Sequence, residues 1–151
     1  LIVAASGAVA HDLLDRYFAL GMSDKTKVFT GKLAAFTVGL LAIILGIVFK
    51  GMNVSFLVGW AFAVAASANL PAIIMLLFWK KTTAKGIVAS IVVGIVASLG
   101  LIMLSPDMYV KYGLNPETAL FPINQPGIIS IPLSFITLVI VSLMTGRKKK
   151  A

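Results

Sequence analysis

The chain has 151 residues, 60% hydrophobic and 12% charged, with 13 Lys and Arg against 5 Asp and Glu for a net charge of +8. The charged share is about half that of ordinary soluble domains, and a soluble domain of this length has too little interior to hide so much apolar surface. Nucleic-acid binding, which the net charge alone suggests, is excluded by the placement of the charges in short clusters between apolar stretches, and the absence of cysteine excludes disulfides, iron–sulfur clusters and thiolate metal sites.

Residues 1–10 read as the closing half of a helix that runs on to about residue 18. In the continuation Leu13, Leu14, Tyr17 and Phe18 fall at helical spacing opposite the charges, the pattern of a helix lying at a membrane surface. The chain opens on Leu1, without Met or a basic leader. It is therefore expected to be the C-terminal portion of a longer transporter-like chain. Ser23 or Asp24 is the expected cap of the next helix.

Four apolar spans come next, 28–49, 52–79, 84–104 and 128–145, each 18 residues or longer. A helix needs that length to cross a hydrocarbon layer of ~30 Å at ~1.5 Å per residue. Basic residues enter these spans only near their starts, at Lys32 and Lys85. The predicted fold class is an all-α polytopic membrane protein, a single transmembrane domain over 1–151. It has about four full transmembrane helices and a truncated one.

The third element, 52–79, carries the polar residues of interest. Gly59, Ala63 and Ser67 are small and four apart, which lets a second helix approach closely. Pro71 lacks an N–H and so frees the carbonyl of Ser67. Asn69 places an amide near mid-membrane, where an unsatisfied polar group is costly. Ser67, Asn69 and Pro71 together predict a polar cluster or hinge that lines a substrate pathway or gates it. The alternative is a proline kink whose polar groups satisfy one another between packed helices. Trp60 is a packing aromatic that can also face the path, and Trp79 an interfacial anchor. In the first element, Ser6 sits in a run of small residues and is a further candidate for the path, while Asp12 marks its cytoplasmic end as a surface ion pair or gate.

Ser90, Gly94 and Ser98 repeat every four residues in the fourth element and predict a packing seam, as do Gly39 and Gly46 in the second. The segment 105–127 holds Pro106, Pro116, Pro122 and Pro126 and is expected to be an irregular outward loop. The tail Arg147-Lys148-Lys149-Lys150 attracts anionic lipid. Alternating sides carry eleven Lys and Arg against two, which places the tail in the cytoplasm and the long loop outside. Catalysis is unsupported. The one His neighbours Asp12 and points about 100° away from it on a helix, no triad or metal spacing occurs, and no carboxylate lies within a span. No cofactor and no metal site are expected.

Two runs carry a resemblance. Ala4-Ala5-Ser6-Gly7-Ala8-Val9-Ala10-His11-Asp12-Leu13 resembles a segment of the cation/acetate symporter (acetate permease) branch of the sodium:solute symporter family. Val58-Gly59-Trp60-Ala61-Phe62-Ala63-Val64-Ala65-Ala66-Ser67-Ala68-Asn69-Leu70-Pro71 is similar to another helix of that branch. Phe78-Trp79-Lys80 with Thr83-Ala84-Lys85-Gly86, and Ala119-Leu120-Phe121-Pro122, resemble its next turn and its outward loop. The resemblance implies a leucine-transporter-type core of two inverted five-helix repeats. Residues 1–10 would end its eighth helix, the second and third elements would be its ninth and tenth, and the last two would be peripheral. It further implies uptake of acetate or a similar short monocarboxylate, coupled to Na+ or H+, by alternating access in a bacterial inner membrane. The ion ligands and most of the substrate site would lie upstream of Leu1. The expected partners are membrane lipid, the remaining helices of the transporter and the monocarboxylate solute. The alternative is a transporter-like membrane sensor or anchor without transport.

Overall fold

The computed structural model describes residues 24–146, all of whose regular structure is helical. Four helices are long and apolar enough to cross a membrane: α1 (Asp24–Val48), α2 (Val54–Phe78), α3 (Ala84–Met103) and α5 (Gly127–Gly146). A short helix, α4 (Pro106–Lys111), and a 3-10 turn (Pro116–Thr118) lie between α3 and α5. The chain divides into two compact units, residues 1–52 and 53–151.

In the first unit, α1 starts at Asp24, and Ser23 lies outside the described residues. The hydroxyl of Thr37 donates to the Leu33 carbonyl, so this polar side chain is satisfied within its own helix. The helix ends where Gly51 takes a φ of +86°, a conformation open to a residue without a Cβ. Nothing in that unit lies against Gly39 or Gly46 among the described residues, so the seam expected there has no counterpart within the unit.

The second unit is a bundle in which α2, α3 and α5 each pack on the other two, with α3 against α5 the most extensive contact. Asn53 caps α2 by accepting from the Ser55 N–H at 2.9 Å, and Thr83 caps α3 by accepting from the Gly86 N–H at 3.1 Å. The turn between them is held by Thr82, whose hydroxyl lies 2.8 Å from the carbonyls of both Met75 and Trp79.

The packed faces repeat every four residues. They are Ala63, Ser67 and Pro71 on α2, then Gly86, Ser90, Gly94 and Ser98 on α3, then Ser130, Ser134, Leu138 and Ser142 on α5. All are buried, while the outer faces present Phe62, Leu76, Leu77, Val88, Val92 and Ile136. Between lipid and a helix there is no hydrophobic drive toward association, so close approach and interhelical hydrogen bonds must supply it. The seam foreseen at Ser90, Gly94 and Ser98 is where α3 meets its neighbours. A Cβ at Gly94 would strike the Ser67 carbonyl and stand 3.0 Å from Ser134 Oγ, and one at Gly86 would strike Ser142 Oγ.

The segment 105–127 is more regular than its prolines suggested. Pro106 and Pro116 each take the first turn of a helical element, where a missing N–H leaves no bond unmade. The α4 helix closes in a Schellman turn, with Gly113 at φ +73° and the Leu114 N–H donating to the Tyr109 carbonyl at 2.9 Å. The Phe121 N–H then donates to the Leu104 carbonyl at 3.2 Å, which returns the loop to the end of α3.

Gly94→Ala is expected to destabilise the bundle by about 1–3 kcal/mol through overpacking. Gly100, which has open space where its Cβ would lie, should accept Ala with no loss or a gain of up to ~1 kcal/mol. Thermal unfolding in detergent distinguishes the two, and equal melting temperatures would refute the assigned seam.

Candidate functional site

The α2 helix divides the residues singled out in the sequence between two faces. Trp60, Ser67 and Pro71 lie on the face toward α3 and α5, and each is buried. Asn69 stands on the outer face with Ala61 and Ala65, all three exposed and spaced four apart. Residues two apart on a helix differ by about 200° in direction, so Ser67 and Asn69 cannot share a cluster. Ser6 and Asp12 lie outside the described residues.

Ser67 is the junction of the three helices. Its hydroxyl is 2.6 Å from the Ala63 carbonyl of its own helix and 2.7 Å from Ser130 Oγ of α5. Ser130 in turn reaches the Pro126 carbonyl at 2.9 Å. Two hydroxyl protons thus serve three short contacts, so the proton between the serines can come from either. The Ser67 carbonyl, deprived of its helical partner by Pro71, faces Gly94 of α3. One turn away along α3, Ser134 Oγ donates to the Ser90 carbonyl at 2.8 Å. The carbonyl that Pro71 frees is therefore packed against glycine, and the Ser67 hydroxyl is bonded across the interface.

Trp60 has a separate task. Its indole N–H donates to the Asn124 carbonyl at 2.8 Å, and the Gln125 side-chain amide covers Gly59. These contacts bind the end of the long loop to the first half of α2, where Gly127 opens α5 next to Ala63.

Asn69 is three residues from the midpoint of α2, about 4.5 Å along the axis. Its amide N–H donates to the Ala65 carbonyl at 3.0 Å, and the remainder of the amide faces away from the bundle. In hydrocarbon such a group is expensive, and side chains of this kind face protein or water-filled cavities. Among the described residues no group of three or more His, Cys, Asp or Glu could hold a metal ion.

Residues that the sequence did not single out also matter. The serines of α5 lie at the same four-residue spacing as Ser90 and Ser98, and that spacing was the available cue. Two acceptors in the loop, Asp107 Oδ2 and Asn124 Oδ1, are buried with no hydrogen-bond partner among the described residues. Nothing in their spacing foretells this. Desolvation raises the Asp107 carboxyl above its ordinary pKa of 3.8. The folded state then binds this proton more tightly than the unfolded chain does. The contribution to stability is complete below pH 3.8 and is lost as pH rises through the higher folded value. Asp107→Asn should remove that decline, and melting curves from about pH 3.5 to 7 that run parallel for both proteins would refute it.

The comparisons with known proteins match this chain to transporters. The sodium:solute symporter family matches residues 1–94, which takes in α1, α2 and α3 as far as Gly94. A monocarboxylic acid transporter of Corynebacterium glutamicum is 43% identical over 140 residues, 90% of this chain and 25% of its own length. The chain thus spans about a quarter of that curated relative. No solved structure matches significantly. Both matches are to transporters and neither is to an enzyme. A match that covers the greater part of the chain, including the Ser67–Gly94 contact on which the bundle closes, establishes that it belongs to the sodium:solute symporter family.

Proposed function

We propose that the chain forms part of a secondary symporter that takes up acetate or a similar short monocarboxylate, driven by Na+ or H+, through alternating access. On this reading it lies in the inner membrane of a bacterium with its C-terminus in the cytoplasm, within a leucine-transporter-type fold. The family match and the name of the Corynebacterium relative support solute symport. The observation that carries the reading is the outer face of α2. A helix with one small-residue ladder already buried has a second one, Ala61, Ala65 and Asn69, with an amide in mid-span. Lipid is a poor neighbour for that amide, whereas further transporter helices or a solute path would supply its partners. Asn69 thus lines or gates the path. Ser67, Pro71 and Trp60 hold the helix that presents it, and Ser6 and Asp12 belong to the same machinery.

The α2 helix would then be anchored at one end by Trp60 and hinged at Pro71. Movement at Pro71 would spare the hydrogen-bond ladder, because the bond it would break is already missing.

Uptake of radiolabelled acetate by proteoliposomes of the intact protein, with sodium and pH gradients imposed separately, tests the function. Asn69→Ala should lower uptake efficiency about tenfold, the equivalent of one hydrogen bond of ~1.4 kcal/mol, with membrane insertion intact. Wild-type kinetics in that variant would exclude Asn69 from the path. The chain has no native cysteine, so Lys81→Cys, Lys111→Cys and Lys149→Cys can be labelled singly. Residues 81 and 149 should react from one side of the membrane and 111 from the other, and labelling of 81 and 149 from opposite sides would overturn the topology.

A further inference from the structure

One end of the bundle holds a recess of about 940 Å³ between the α2–α3 turn and the last turn of α5. Its walls differ in character. Lys80 and Lys81 line it on the side of the turn, and Thr83 and Ser142, bonded to each other, lie between that turn and α5. Leu143 and Met144, 48% and 70% exposed, form a lip continuous with the apolar outer surface of α5. The Thr83 N–H donates to Ser142 Oγ at 3.2 Å, and Thr83 Oγ1 lies 2.7 Å from Thr145 Oγ1.

The charge in this recess is uncompensated within its unit. No acidic residue occurs between Asp24 and Asp107 or after Glu117. Asp107 and Glu117 both come after α3, whose 20 residues span about 30 Å. That is nearly four Debye lengths of ~8 Å at physiological salt, so their charge is screened at the recess. Lys85 adds a further positive charge on the first turn of α3, and Arg147-Lys148-Lys149-Lys150 continue the chain after Gly146.

An anion is the ligand such a site takes, and the lip decides which one. With α2, α3 and α5 crossing a bilayer, the recess at their ends would stand at head-group height. Leu143 and Met144 would face acyl chains while the lysines face a phosphate. We propose that this recess binds the phosphate head group of an anionic phospholipid, with its chains against Leu143 and Met144. The site requires the membrane placement of the bundle and is independent of what the protein transports.

Native mass spectrometry of the intact protein in detergent, with phosphatidylglycerol and phosphatidylcholine offered together, reads the site directly. Wild type should retain phosphatidylglycerol in preference. Lys80→Gln and Lys81→Gln should each reduce the preference about fivefold, and Lys80→Arg with Lys81→Arg should keep it, which separates loss of charge from loss of fold. Gln at the four basic positions of 147–150 should leave most of the preference in place. Inorganic phosphate at millimolar concentration should not displace the lipid. An unchanged preference in the Lys80→Gln/Lys81→Gln double variant, or its loss in the tail variant alone, overturns the assignment. Displacement by inorganic phosphate would identify a free-anion site and overturn the lipid. None of these outcomes bears on acetate uptake, so either reading can fail alone.

Discussion

Lipid gives two apolar helices no reason to leave it for one another, and the whole second unit is organised around that fact. Attraction must come from backbones close enough for dispersion and for hydrogen bonds between helices. One such close approach is at Gly94, which faces the Ser67 carbonyl with Ser134 Oγ beside it. Any side chain larger than hydrogen at position 94 would push α2 away from α3. From that point the four-residue ladders run along α3 and α5 and keep small residues in register. Gly86 meets Ser142, and Ser90 meets Ser134. Leu138, fully buried in the middle of α5, and Ile102, which continues the α3 ladder beyond Ser98, are large aliphatic residues among these small ones.

A seam made of serine must also dispose of its hydroxyls, since each unpaired polar group is costly in a dry interface. The bundle does so within each helix. Ser67, Ser98 and Ser130 all reach carbonyls four residues back, and Ser90 reaches one three residues back. Hydroxyls also tie helix to helix, at Ser67 with Ser130, at Ser134 with the Ser90 carbonyl, and at Thr83 with Thr145. Bonds of this kind inside membranes average only about 0.6 kcal/mol. Their greater effect is on specificity, because a slip of one residue would leave several of them unmade.

The proline in α2 fits the same logic. Elsewhere in a helix a missing N–H leaves a carbonyl exposed to lipid. Here the orphan carbonyl of Ser67 is turned inward onto Gly94. The freed carbonyl is thus sheltered within the bundle, while Asn69, two residues before Pro71, remains on the opposite face. The long loop adds a second restraint through the Trp60 indole and the Asn124 carbonyl, so the first half of α2 is held at a distance from the proline.

The helical spans were legible because their cause is local. A run of apolar residues long enough for the hydrocarbon must satisfy every amide within itself, and only a helix does so. The start of α3 after Thr83 and the seam at Ser90, Gly94 and Ser98 arise from short-range chemistry and four-residue spacing. The long loop was less legible. Proline reads as a breaker in isolation, and whether it starts a helix instead depends on the residues C-terminal to it, as at Pro106 and Pro116. That Ser67 and Asn69 point apart follows from their two-residue spacing on a helix, but which of the two faces inward was beyond the sequence. Which face of α2 is inward depends on where α3 and α5 lie, and that is a property of three helices together. So is the bond from Trp60 to a residue 64 positions away. Membrane residence and helix number were thus decided by the chain's own periodicity and length. The assignment of each polar group to an interface or an open face was decided by packing, because a side chain's environment is made by its neighbours in space.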